Sequence, residues 1–257
     1  MRRFLFVTIA AAAALLGVAA LPAAAATATA PGPPIYSQEQ AGYAAGGQGI
    51  HIRYVQATFK LPSSTILPFN TGAGLSVQLR SPNDNIVLGI SATPGSQWNA
   101  AVFEAPYGCE ASSCLNYSNG NSPVMDTGDT INASIYYDVG NGFAYYTLTD
   151  VTAGTSFFGK FSDPGALFDQ ARVGEEFADW PWAAPSSPYV APVQNTRLAA
   201  FSDVAVTSYN GTHGNLFGPF QVSKIFMTRN GKSWGKAEGY PGFAWNKGLN
   251  FGAWLHA

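Results

Sequence analysis

Two stretches of the chain bring proton-exchanging and hydrogen-bonding side chains together. In "GLSVQLRSPNDNIVLGIS" (74–91), Gln78 and Arg80 share one face of a β-hairpin. Val77 and Leu79 on the first arm, and Ile86, Leu88 and Ile90 on the second, alternate with polar positions and form an apolar face. Val87 falls among the polar positions. In "VGEEF" (173–177) two carboxylates are adjacent, so a strand sends Glu175 and Glu176 to opposite faces. With Val173 and Phe177 facing a core, Glu176 shares the other face with Gly174. Glu175 then falls on the core side, where a charge needs a sheet margin or a partner. A carboxyl group on an open face can take up and return a proton, whereas a neutral amide can only donate to developing negative charge.

Other chemistries find fewer residues. His51, His213 and His256 are scattered, so Cys109 and Cys114 lack partners for a metal, and the C-x4-C spacing reads as a small-loop disulfide. His213 lies in a Gly-rich "GTHGN" segment, but no G-x-S-x-G nucleophile elbow accompanies it. Glu104, in "AVFEAP", is a further carboxylate, which would shape a groove or tune Glu176. A glycosidase needs two carboxylates across a cleft, and no strand carries a clear pair. No metal and no cofactor are expected.

The elements that must position these groups are strands. From residue 36 onward, strand patterns recur between Gly, Pro and Asn turns, and no helical periodicity is sustained after residue 26. "TINASIYYDVGNGFAYYTLTD" reads as two strands around a "GNG" turn. The fold class is therefore all-β, an antiparallel β-sandwich of two sheets. Residues 1–26 form a secretory signal peptide, with Arg2 and Arg3 before an apolar run and cleavage near Ala25 or Ala26. Residues 27–35 are a flexible lead-in, 36–230 the sandwich, and 231–257 a tail rich in Gly and aromatics. In that tail Trp234, Tyr240, Trp245 and Trp254 either form a stacking platform for sugars or cover a sheet edge; aromatics more commonly cover.

Without Arg2 and Arg3, 11 basic residues stand against 15 acidic ones, and no basic run exists, which argues against nucleic acid as a partner. No later segment is apolar enough to span a bilayer, so no stable membrane insertion is expected. Only 11% of residues are charged, in keeping with a secreted, monomeric β protein whose surface is polar without being ionised.

Several stretches in order along the chain resemble the glutamic peptidases (eqolisins). They are "YSQEQAGYAA", "YVQATFKLP", "IVLGIS", "AAVFEAP", "MDTGDTINASIYYD", "YTLTDVTAGTSF", "VGEEFADWP" and "LAAFSDVAVTSY", covering about residues 36 to 210. The resemblance implies a concanavalin A-like sandwich whose concave sheet lines a substrate groove. It also implies acid peptide hydrolysis by a Gln/Glu pair. The Glu activates water and then protonates the leaving amine, and the Gln amide donates to the oxyanion.

Carried over residue by residue, the family's Ala-Glu-Trp pattern places its glutamate at Glu176, with Phe177 as the aromatic; a one-residue slip would select Glu175. Its Leu-Gln-x-Gly pattern lies over Ile86-Val87-Leu88-Gly89, so the catalytic Gln position holds Val87. The N-terminal Trp position holds Gln40, and the Trp-x-Gly-x-Asp strand is Ser76-Val77-Gln78-Leu79-Arg80. Losing an oxyanion donor costs on the order of 100- to 1,000-fold in rate. With a turn at Ser81–Asp84, Gln78 opposes Val87, Arg80 opposes Asn85 and Ser76 opposes Gly89. Two ligand-handling functions follow, beside a structural extracellular protein with no small ligand. One is a secreted acid endopeptidase with Glu176 as base then acid and Gln78 as substitute oxyanion donor, cutting polypeptide substrate. The other is a catalytically silent module binding extracellular peptide or glycan. Both expect side chains 78, 87 and 176 to face solvent from one curved layer, with Gln40, Ser76, Arg80, Val87, Glu104 and Glu175 around the groove.

Overall fold

The alternation in 74–91 folds as a hairpin because its turn closes locally. Ser81 N–H donates to Asp84 O (2.8 Å), and Ser81 Oγ accepts from the N–H groups of Asn83 (3.2 Å) and Asp84 (2.9 Å). A serine satisfying the backbone two and three residues on is a turn device that leaves no freedom of register. The arms pair Gln78 with Val87, Arg80 with Asn85 and Ser76 with Gly89.

The structure is a computed structural model that describes residues 30–37, 40–61, 73–92, 98–106, 115–116, 124–177, 199–216, 218–228, 238–241 and 251–256. In chain order the strands are β1 (Ile35–Ser37), β2 (Gln40–Gly46), β3 (Ile52–Lys60), β4 (Ala73–Arg80), β5 (Asp84–Ala92), β6 (Trp98–Pro106), β7 (Leu115–Asn116), β8 (Val124–Met125) and β9 (Thr130–Asp138). There follow β10 (Phe143–Asp150), β11 (Thr155–Ser162), β12 (Gln170–Phe177), β13 (Ala199–Ser208), β14 (His213–Gly214), β15 (Gln221–Thr228), β16 (Glu238–Pro241) and β17 (Phe251–His256). Among the described residues there is no helix.

Pairing sorts these strands into two antiparallel layers. One runs β6-β5-β4-β12-β2-β15, with β7 and β8 on β6. The other runs β13-β3-β9-β10-β11, with β14 on β13. A single parallel pairing, β1 on β15, departs from the antiparallel rule. Strands β16 and β17, from the Gly/aromatic-rich C-terminal segment, bridge the layers: β16 pairs with β15, and β17 with β13.

The core lies between the layers. From the first come Leu75, Val77, Leu79, Ile86, Leu88, Ile90, Tyr43, Ala171 and Val173; from the second come Val55, Phe59, Ile131, Ile135, Leu148, Phe201 and others. Residues of opposite parity on the first layer are turned away from this core. They form its second face, where the candidate site lies. Residues 1–26, Cys109, Cys114, Trp234 and Trp245 lie outside the described residues.

Candidate functional site on the second face of the large sheet

Register converts single residues into rows that run across the strands. One row is Val87, Gln78, Arg172, Ala44 and Ser223. The next is Gly89, Ser76, Gly174 and Gly42. A third is Ser91, Gly74, Glu176 and Gln40. Beyond the first row, on its other side, lie Asn85, Arg80, Gln170, Gly46 and Gln221. Adjacent rows are two residues apart, about 7 Å along the strand.

The second row is a floor of small residues, and its glycines are required. A Cβ on Gly174 would lie 2.3 Å from Ala41 O, and one on Gly42 would lie 2.1 Å from Val173 O. Strands β12 and β2 approach too closely there for any side chain. Gln78 and Arg172 stand on one side of the floor. Gln40 and backbone position 176 stand on the other.

The polar side chains of this face hold one another. Arg172 donates from Nε (3.2 Å) and Nη2 (3.0 Å) to Gln170 Oε1, which fixes the guanidinium along β12. Gln78 Nε2 donates weakly to Ser76 Oγ at 3.4 Å. Gln78 Oε1 is buried and meets no donor among the described residues. At the β15 side the face ends in a cavity of about 200 Å³, lined in part by Ala44, Gly46, Asp169, Gln170, Gln221 and Ser223.

Four sequence expectations change. First, Gln78 and Val87 do turn away from the core, but they are 3% and 5% exposed, and Gln40 and Arg172 are 2% and 8% exposed; the face is closed, not open to solvent. Second, the β12 residue opposite Gln78 is Arg172, a cation, whereas Glu176 opposes Gly74. Positions 78 and 176 are therefore four residues apart along neighbouring strands, about 13 Å, and bracket the glycine floor instead of meeting at one water. Third, the row that holds Val87 and Gln78 therefore carries Arg172 and no carboxylate among the described residues. Fourth, Glu104 pairs with Ile86, a core residue, while its neighbour Phe103 pairs with Val87. Its pairing does not put it in the row of Gln78 and Val87.

Glu175, expected around the groove, lies on the core side instead, where its parity puts it. Val173 lies in the core, and Glu175 is fully buried between Ala41 and Leu75 as cross-strand neighbours. Arg80 is half-buried at the margin of the face, where its carbonyl accepts from Asp169 N–H at 3.0 Å. His213 is on the other layer, with Nδ1 2.9 Å from Thr207 Oγ1. No cluster of His, Cys, Asp and Glu able to hold a metal gathers among the described residues. Arg172 and the glycine floor were not singled out in the sequence, because only the β4–β12–β2 register reveals them.

Comparison with solved structures now decides the fold. A crystal structure of scytalido-glutamic peptidase with a transition state analog inhibitor superposes with a TM-score of 0.64 at 16% identity, covering 84% of this chain and 98% of that one. The fold is like that of the glutamic peptidases. A second structure of scytalido-glutamic peptidase, with a peptide based transition state analog, gives 0.60 at 16% identity over the same shares of both chains. SCP-B, a member of the Eqolisin family of peptidases in a complex with the tripeptide Ala-Ile-His, gives 0.56 at 14%, again over 84% and 98%. No family model matches the sequence. No curated protein matches it either.

Proposed function

We propose that this chain is a secreted, peptidase-like protein that holds an extended polypeptide across the second face of its large sheet. The observation that carries the reading is the floor Gly89–Ser76–Gly174–Gly42 between two polar walls. The walls are about 13 Å apart and an extended chain needs about 5 Å, so their spacing suits one polypeptide once the face is uncovered. Gln78, Arg172 and Gln40 then supply hydrogen bonds to its backbone. The solved glutamic peptidases with a peptide based analog and with a tripeptide support this ligand class. Because the walls are buried, binding includes uncovering them. Export by the leader 1–26 and a Cys109–Cys114 disulfide belong to the same reading.

The residues favour recognition over turnover through a Gln/Glu pair. Val87 offers no donor, and the cross-strand neighbour of Gln78 on β12 is a guanidinium that cannot act as a base near neutral or acid pH. A second reading, acid hydrolysis, is supported by the fold shared with the glutamic peptidases. In that reading Glu176 activates water and a donor other than Gln78 serves the oxyanion, since the two positions are about 13 Å apart. Fluorescence anisotropy of labelled, sequence-diverse decapeptides tests the shared claim. Saturable binding that weakens about tenfold or more in Arg172→Ala supports it; no binding, or binding indifferent to both Arg172→Ala and Gln78→Ala, overturns it.

A further inference from the structure

A second surface lies on the opposite side of the molecule, on the outward face of the β3-β9-β10-β11 layer. Burial alternates along these strands: Ile131, Ala133, Ile135 and Tyr137 go inward on β9, while Tyr136 is 38% exposed. Register lines the outward residues into rows. Tyr54, Tyr136, Tyr145 and Lys160 are consecutive across four strands. Beside them run Gln56, Ser134, Thr147 and Phe158, and then Thr58, Asn132, Thr149 and Ser156.

The first row is an aromatic ladder. The rings of Tyr136 and Tyr145 are 6.2 Å apart, and those of Phe143 and Tyr145 are 6.5 Å apart. Two cations lie over it. Lys160 Nζ is 4.7 Å from the Phe143 ring and 5.9 Å from that of Tyr145, and Arg53 Cζ is 5.9 Å from that of Tyr136. Phe158 is 72% exposed, and with Tyr145, Thr147 and Lys160 it borders a depression of about 330 Å³. On the core side of the same strands Gly159 leaves room for the Tyr146 ring, whose hydroxyl would lie 2.4 Å from a Cβ there. Tyr136 and Phe158 are exposed and Tyr54, Phe143 and Tyr145 half-buried, an aromatic surface uncommon on a protein with no use for it.

The three rows contain no carboxylate. The nearest on these strands, Asp138, ends β9 and accepts from Gly140 N–H (2.9 Å) and Asn141 Nδ2 (2.7 Å). The chain carries a formal charge of −2, yet this strip is locally cationic. Its chemistry has three parts: flat aromatic faces, a band of amides and hydroxyls, and cations at both sides of the ladder. We infer that this face binds an anionic polysaccharide, with pyranose rings on Tyr136, Tyr145 and Phe158, hydroxyls on the Gln56 and Asn132 rows, and ring carboxylates at Arg53 and Lys160. Aromatic residues with one polar end suit such amphipathic rings. A sugar chain offers hydroxyls to the amide and hydroxyl band at every residue, whereas a DNA strand, which lacks the 2′-hydroxyl, offers none there.

The test is affinity electrophoresis and calorimetry of the mature protein with polygalacturonate, its methyl-esterified form, and oligo-dT. Binding of polygalacturonate that falls with added salt, and that drops about fivefold in Lys160→Gln, supports the inference. Tyr136→Ala is expected to act in the same direction, and Lys160, being exposed, can be replaced without touching the core. Absence of binding, equal affinity for the methyl-esterified polymer, stronger binding to oligo-dT, or Lys160→Gln without effect overturns it. These outcomes are independent of peptide binding on the other layer.

Discussion

Gln78 carries an acceptor that meets no donor among the described residues. Its Nε2 has only a 3.4 Å contact with Ser76 Oγ, and its Oε1 is buried without a donor among the described residues. A buried polar atom left unsatisfied costs about 1–3 kcal/mol, and an apolar residue of the same shape avoids that cost. Gln78→Met is therefore expected to raise the stability of the ligand-free protein by about 1 kcal/mol, read from urea unfolding, while weakening peptide binding. Unchanged or lower stability would mean that the amide is satisfied. The opposition of Gln78 and Val87 was legible in the sequence because a four-residue turn joins their strands. Arg172 was not legible, because β12 joins β4 from far along the chain and the alternation of β12 alone leaves its offset open. That offset decides whether Gln78 meets a carboxylate or a guanidinium.

The strands themselves were legible from alternation, and β4, β5, β9 and β10 keep the faces their patterns assign. Strands β16 and β17 were not, since glycine and aromatics give no period-two pattern. Layer order was equally hidden: the sequence says that strands pair, not that β12 inserts between β4 and β2. The glycine floor is the consequence of that insertion. Gly174 and Gly42 face each other in register, and a Cβ at 174 would lie 2.3 Å from a backbone oxygen that cannot move without shifting β2. Gly174→Val should cost about 3 kcal/mol, visible as a lower urea midpoint. A neutral result would show that β12 and β2 are farther apart than described.

Across the whole molecule, buried and half-buried phenols tie stability to alkaline pH. Desolvation holds the pKa values of Tyr54, Tyr137, Tyr146 and Tyr209 above the ordinary 10.0. Tyr137 donates to Asp163 O (2.8 Å) and Tyr209 to Ala166 O (3.1 Å), so both hydroxyls are anchored while protonated. The folded state keeps these protons where the unfolded chain releases them. The stabilisation is thus complete below about pH 10 and is lost as pH rises through the folded values. Phenolate absorbance from this group should appear together with loss of the β-sheet circular dichroism; titration near the ordinary value in an intact fold would contradict the burial. Two faces with different chemistry follow from the two-layer plan, one closed and polar, one exposed and aromatic. The claim on which most depends is that the closed face engages a polypeptide without cutting it. It is tested most directly by mass spectrometry of a bound decapeptide after prolonged incubation with stoichiometric protein in acid. The account predicts an intact peptide recovered from a saturable complex. Fragments formed by the wild-type protein and absent with Glu176→Gln would contradict it.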